Sequence, residues 1–194
     1  MNDRGKQDII LAGVGGQGIL SIAVVIAGAA LKEGWQVKQA EVHGMAQRGG
    51  GVQSHLRLSR DRIWSDLIPR GGADLILSVE PLEALRYLDF LSPQGRIVTS
   101  STPFLNIPDY PDREMLLARI RAIPGSIVVD SEKLAREAGT IRAQNTVMLG
   151  AASGFLVVAE ENLKASVRAL FERRGEKVLE SNLRAFDLGR NAAA

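Results

Sequence analysis

The chain has 194 residues, 45% hydrophobic and 24% charged, with a formal net charge of +2. That balance suits one soluble globular domain, and a chain of this size buries roughly 70% of the surface it exposes when unfolded. The small charge and 5% aromatic content exclude the basic, aromatic-studded stripe of a nucleic-acid binder. With no cysteine, the chain has no disulfides and no thiolates of its own for an iron–sulfur cluster.

Before Gly13 the apolar run is too short for a signal peptide, which makes the cytoplasm the expected location. Residues 8–12 (DIILA) predict a buried parallel strand ending in glycines. Residues 17–32 predict a helix apolar nearly all round, which implies burial between layers. Its apolar window is too short to span a bilayer, and Gly34 ends it. Residues 35–42 read as a second strand. From 52 to 58 the sequence alternates, with Val52, Ser54, Leu56 and Leu58 on one face and Gln53, His55 and Arg57 on the other. SRDR at 59–62 predicts a turn and residues 63–65 a returning strand, together an inserted β-hairpin.

Strand and helix then alternate. Residues 73–79 predict a strand and 81–91 a helix with Pro81 at its first position. A strand at 96–100 leads into a loop marked by Pro103, Pro108 and Pro111. A helix at 112–123, a strand at 126–129 and a short helix at 131–138, capped by Asp130 or Ser131, come next. Residues 145–159 predict a helix rich in small residues, and amphipathic helices at 160–173 and 176–187 close the chain. No repeat, low-complexity tract or linker interrupts residues 1–194. The expected fold is therefore a single α/β domain: a Rossmann-like, mostly parallel sheet with helices on both faces and an inserted β-hairpin.

Three constellations are candidates for chemistry. Gly13, Gly15, Gly16, Gln17 and Gly18 lie in GVGGQG, a G-x-G-x-x-G after a strand and at the head of a helix. Such a loop admits a phosphate to the backbone N–H groups of the helix N-terminus. Tight packing of strand on helix explains the same glycines, and both readings stay open. A dinucleotide site also wants an acid about 20 residues on, and Glu41 has that spacing.

The second is HGMAQRGGGVQSHLR, residues 43–57, which holds both histidines of the chain. His43 and His55 lack a convincing third metal ligand, and nothing positions a nucleophile beside either. Arg48 and Arg57 can fork onto a carboxylate or phosphate, Met45 is a soft apolar contact, and Gly49–Gly51 permit close approach of another backbone. The sum is a contact surface, the alternative an ordinary solvated loop; Gly51 has no role legible here. The third is the pair Asn145, a good N-cap, and Glu80, which at a strand's carboxyl end either binds a ligand or favours the adjoining helix by its charge. Gly150, Ala151 and Gly154 leave a flat helix face.

GVGGQG after the first strand, EVHGMAQRGGGVQSHLR at the second and ADLILSVEPLEALR at the fourth resemble the gamma subunit or domain of the 2-oxoacid:ferredoxin oxidoreductases. Within that family the likeness is greatest to the indolepyruvate branch, and NTVMLGA from Asn145 and SNLRAFDLGR from Ser181 fit it. The resemblance covers nearly the whole chain. It implies a complex that decarboxylates a 2-oxoacid, passes the acyl group to coenzyme A and sends two electrons to ferredoxin. Thiamine diphosphate and the iron–sulfur clusters then belong to a large partner subunit, and this chain is the small subunit, holding no cofactor or metal and inactive alone.

By the same resemblance His43, Gly44, Met45, Gln47, Arg48, Gly49 and Gly50 carry the family motif. Together with Ser54, His55, Arg57, Glu80 and Asn145 they face the partner or coenzyme A. No nucleic acid or membrane partner is implied, and a homodimer is an option for the isolated chain. A free-standing nicotinamide-dependent oxidoreductase using GVGGQG and Glu41, and a structural or regulatory module without catalytic contribution, are the other function classes. The glycine loop and residues 43–57 are expected to form one surface at the carboxyl edge of the sheet.

Overall fold

The computed structural model describes residues 5–41, 49–105 and 107–194. Their strands are β1 (Lys6–Val14), β2 (Gln36–Glu41), β3 (Gly51–Ser59), β4 (Ala73–Ser78), β5 (Leu91–Ser100) and β6 (Ile127–Val129). The helices are α1 (Ile19–Lys32), α2 (Pro81–Arg86), α3 (Arg113–Arg121), α4 (Ser131–Glu137), α5 (Gln144–Ser153), α6 (Glu160–Phe171) and α7 (Glu176–Ala192). The sheet order is β2-β3-β1-β4-β5-β6. β1, β4, β5 and β6 run parallel, and β3 lies antiparallel between β1 and β2.

The alternation in β3 sorts its side chains as the pattern predicts. Leu56 and Leu58 join Ile9 and Leu11 of β1 beneath α1, α5, α6 and α7. On the other face Ile10, Ile76 and Ile97 meet Ala84 of α2 and Ile120 of α3. Helices thus cover both faces of an α/β sheet. Fully burying side chains of this size contributes about 1.5–3 kcal/mol each. Where α5 crosses α7, the backbones nearly touch: a Cβ on Gly150 would lie 2.0 Å from the Phe186 carbonyl oxygen, and one on Gly189 1.9 Å from that of Val147. No helix among the described residues is long and apolar enough to cross a membrane.

Several expectations are corrected. Residues 63–65 form no returning strand; the hairpin partner of β3 is β2. β3 is already paired along both edges, so it has no free donors or acceptors for a third strand. Arg57 takes up the carbonyls of Ser65 and Leu67 at 3.0 and 3.1 Å instead, which satisfies backbone that a ladder would otherwise serve. α1 is not sandwiched. Its inner arc is buried, but Leu20, Val24 and Leu31 are 48%, 54% and 62% exposed.

α2 is short, and a 3₁₀ turn over Leu88–Phe90 leads into a β5 longer than expected. α5 stops at Ser153 rather than at residue 159. The Gln7 side chain then holds the next segment, donating to the Phe155 carbonyl and accepting from Val157 N–H. α4 is capped by Asp130, which accepts from Lys133 N–H, not by Ser131.

Candidate functional site

The glycine loop crosses from the end of β1 to the head of α1. Gln17 folds back so that its Oε1 accepts from Val14 N–H at 2.8 Å, and Gln17 N–H donates to the Val14 carbonyl. Part of the glycine pattern is packing. A Cβ on Gly13 would lie 2.6 Å from Ile19 Cδ1, and one on Gly18 2.6 Å from Asn145 Nδ2. Gly18 is also left-handed, with φ 78°, a conformation costly for any residue with a Cβ. Gly16, at φ 102°, has nothing within 4 Å of its Cβ position, so packing does not explain it. No side chain caps α1, and its first turn carries no acid. Its first N–H groups and dipole therefore face the loop without a competing anion of their own.

The second motif meets this loop. Gly15 N–H donates to the Gly50 carbonyl at 2.9 Å, and Gly49 N–H to the Gly15 carbonyl at 3.4 Å. Those bonds extend the β1–β3 ladder past Val14↔Gly51. Glu41, at the end of β2, accepts from Gln39 at 2.5 Å and pairs across the sheet with Ser54. Gly49 and Gly50 therefore lie beside the glycine loop at the carboxyl edge of β1, whereas Glu41 stands across β3, level with Leu11. His43, Gly44, Met45, Gln47 and Arg48 lie outside the described residues.

Asn145 joins the same edge in an unexpected role. It sits inside the first turn of α5, whose N-cap position is Ala143, so it is not the cap. Its Nδ2 donates to the Gly18 carbonyl at 3.3 Å, which ties α5 to the loop. Glu80 has the blander of its two roles: 1% exposed, it caps α2 by accepting from Glu83 N–H at 2.8 Å. Tyr110 donates its hydroxyl to the same carboxylate. Burial and that bond to Glu80 push the Tyr110 phenol far above its ordinary range.

Two residues of the second motif lie elsewhere. His55 is 3% exposed and pairs with Ile10, in the middle of β1. Its Nδ1 accepts from Ile68 N–H at 3.0 Å, and its ring meets Phe90 edge-on. Burial holds its pKa below the ordinary value, helped by Arg57 and opposed by Asp66. Arg57 pairs with Asp8, near the start of β1, through bonds of 2.7 and 3.0 Å. The expected single surface over residues 43–57 is corrected accordingly: Gly49 and Gly50 lie at the loop edge, whereas His55 faces inward and Arg57 stands toward the opposite end of the strand. Ser54, 1% exposed, accepts from Gln39 at 3.2 Å.

Glu83 has no counterpart among the sequence-based candidates. It is 3% exposed, and its Oε1 pairs with Arg86 Nε at 3.0 Å while its Oε2 has no partner. It fills the space beside Gly51, where a Cβ would lie 2.7 Å from Oε2. Burial, and secondarily the charge of Glu80, pushes its pKa up to about 7 against the pull of Arg86. The one available signal, an acid three residues after the N-cap Glu80, announces a capping pattern and not a buried carboxyl. Among the described residues no group of three or more His, Asp or Glu is placed to hold a metal ion.

Residues 8–192 match the pyruvate ferredoxin/flavodoxin oxidoreductase family. Indolepyruvate oxidoreductase subunit IorB of Thermococcus kodakarensis is 39% identical over 199 residues, which cover 97% of this chain and 96% of that protein. The fold is similar to the 2-oxoglutarate:ferredoxin oxidoreductase of Magnetococcus marinus, solved with 2-oxoglutarate, coenzyme A and succinyl-CoA bound, at a TM-score of 0.76 and 26% identity. The match takes in 98% of this chain but only 31% of that one, so this chain spans about a third of its length. A keto/oxoacid ferredoxin oxidoreductase gamma subunit from Geobacter sulfurreducens shares the fold end to end, with a TM-score of 0.71, 23% identity and 96% and 98% of the two chains covered.

Proposed function

The chain belongs to the pyruvate ferredoxin/flavodoxin oxidoreductase family, and from that premise we propose that it serves the indolepyruvate branch. It is a small subunit of a 2-oxoacid:ferredoxin oxidoreductase. In the reaction we assign, an aryl-pyruvate loses carbon dioxide, its acyl group passes to the coenzyme A thiol, and two electrons pass to ferredoxin. The 39% identity to IorB over nearly the full length of both proteins supports the aryl-pyruvate branch.

Thiamine diphosphate supplies the decarboxylation chemistry in this reading, and a large partner subunit in the cytoplasm carries it together with the iron–sulfur clusters. The residues of this chain do not fit a cluster, because it has no cysteine thiolate to hold one. Its own task is to bind and orient. The N–H groups at the head of α1, with no acid in that turn, suit an anionic group such as a phosphate of coenzyme A. Arg48, in the family motif, is the residue we assign to an acidic partner group or that phosphate. Inactivity of the chain alone is the consequence, because no nucleophile–base pair stands at this edge among the described residues.

The observation that carries the reading is the backbone bridge from Gly15 to Gly49 and Gly50. It supports one recognition edge built from both motifs of the family. The test is reconstitution. The chain alone and the chain with its large subunit are assayed for aryl-pyruvate- and coenzyme A-dependent reduction of ferredoxin or a viologen dye. Activity that needs both chains, with a raised coenzyme A requirement or lost co-purification in Arg48→Ala, is the expected result. A chain that binds no partner and turns over a nicotinamide by itself overturns the proposal.

A further inference from the structure

α1 carries an apolar seam that the described chain leaves uncovered. The helix reads ILSIAVVIAGAALK, with no charge before Lys32. Ile22, Ala23, Val25, Ile26, Ala29 and Ala30 are buried and account for one side. The other side holds Leu20, Val24 and Leu31, the exposed residues already noted; Ala27 falls in the same arc but is half-buried against the core. These four recur at intervals of four, three and four residues, so they fall in one narrow arc along the helix, the spacing of a seam that packs on another helix. Single exposed apolar residues are ordinary, but an aligned, charge-free row marks a contact surface.

The seam has one neighbour that extends it. It begins two residues past Gly18, so it runs on from the glycine loop. α1 packs against β2 and β3, and β2 is the edge strand, paired only with β3 among the described residues. Those contacts are made by the buried side of α1, so the seam faces away from the sheet and continues only into the glycine loop.

The size of the seam limits what can cover it. A helix of this length is about 21 Å long and about 10 Å wide, so one side of it offers roughly 200 Å². A standard interface hides about 800 Å² on each partner. Pairing α1 with α1 of a second copy is too small on its own. The occupant must reach past the helix onto neighbouring surface, the glycine loop first. The Magnetococcus marinus enzyme adds a second constraint. There the matched region is 31% of the chain, so this fold is covalently joined to about twice its own length of further oxidoreductase polypeptide. On the small-subunit reading the corresponding polypeptide is the large subunit, and the contacts that join the two are non-covalent.

We propose that the outer face of α1, built from Leu20, Val24 and Leu31, docks an apolar helix of the large subunit. The proposal rests on the small-subunit reading and names the face by which that subunit is held. Desolvation of the seam supplies the affinity. The glycine loop, at the head of the seam, sets the register.

Two variants test it in the co-expressed complex. Val24→Glu places a carboxylate in the seam, where it points to solvent in the free chain, so the thermal melt of the free chain should not move. The Kd for the large subunit should rise at least a hundredfold. Met115→Glu on α3, at a site already 62% exposed on the opposite face of the sheet, is the control and should bind like the parent. The chain has no cysteine, so Leu31→Cys puts a single thiol on the seam. Its labelling by a maleimide dye should slow at least tenfold when the large subunit is present.

Val24→Glu that assembles like the parent, or a Leu31→Cys thiol that labels equally fast in the complex, overturns the inference while the subunit reading stands. Protection of that thiol in the chain alone, with concentration-dependent dimers that Val24→Glu abolishes, gives the seam to a second copy and overturns it as well. A wild-type chain that never binds the large subunit defeats the subunit reading, and this inference with it.

Discussion

Glu83→Gln should stabilise the protein at neutral and alkaline pH and flatten its stability profile. The Glu83 carboxyl is 3% exposed, one of its oxygens has no partner, and its pKa is pushed up to about 7 from 4.5, chiefly by burial. A raised carboxyl pKa means that the folded state binds a proton the unfolded chain has already released. Stability therefore falls as pH rises from about 4.5 to about 7, and the loss persists above that. At 1.36 kcal/mol per unit, the shift corresponds to about 3 kcal/mol. Arg86, pairing with it at 3.0 Å, is itself 54% exposed, and its pull is already contained in the raised value. Glutamine keeps the shape of the side chain and removes the ionisation.

The assay is urea denaturation of parent and variant from pH 5 to pH 8.5. For a chain of this length about 3 kcal/mol corresponds to roughly 6–12 °C in Tm. The variant should match the parent near pH 5 and exceed it by that margin above pH 7.5. His55 works in the opposite sense. Burial lowers its pKa, so its contribution, full above about 6.5, is lost as pH falls below that value toward the lowered pKa. The histidine is common to both proteins, and subtracting one profile from the other removes it. Profiles that stay parallel across the whole range would refute the argument, because they would mean that Glu83 ionises alike in the folded and unfolded chain.

Close contacts set three further outcomes. Gly189→Ala places a Cβ 1.9 Å from the Val147 carbonyl oxygen; backbone cannot yield as a side-chain tip does, so urea denaturation should show a loss of about 3 kcal/mol, well beyond the roughly 1 kcal/mol that alanine gains in helix propensity. Arg57→Ala leaves Asp8, 4% exposed, without its guanidinium and frees the Ser65 and Leu67 carbonyls; a loss of about 3–5 kcal/mol with new proteolytic cleavage in residues 63–67 is expected, whereas lost partner binding at unchanged stability would make Arg57 an interface residue. Gly18→Ala costs about 1–2 kcal/mol for a left-handed conformation and meets Asn145 Nδ2 at 2.6 Å; adding Asn145→Ala should recover the steric part, which a double-mutant cycle in thermal melts measures.

The α/β order is legible in the sequence because each element announces itself locally. β1 is an apolar run stopped by glycines, α2 starts with a proline, and α6 and α7 are amphipathic. Pairing is less local. Nothing in the run from residue 52 to residue 65 tells whether β3 turns back on residues 63–65 or on the strand before it. β1 and β2 together make the choice, because they leave β3 no free edge. The all-round apolarity of α1 implies burial, a fair inference for a chain that folds alone. It fails on one side of the helix, where Leu20, Val24 and Leu31 stay exposed.

The site divides along the same line. The glycine loop and its meeting with Gly49 and Gly50 are consequences of motifs that are contiguous in sequence. Asn145 stands out in the sequence, but its local role as a cap does not occur; its bond to Gly18 spans more than a hundred residues and has no local signature. Gly51 shows the limit most plainly. Within QRGGGV it is one glycine more than any turn needs, and within EPLE, Glu83 is an ordinary first-turn acid. Only when β3 is laid beside the head of α2 does each explain the other: the missing Cβ at Gly51 is the space the carboxylate occupies. Any side chain at position 51 would have to displace a buried acid. The third glycine and the raised pKa are therefore two consequences of one contact between β3 and α2, about thirty residues apart in the chain.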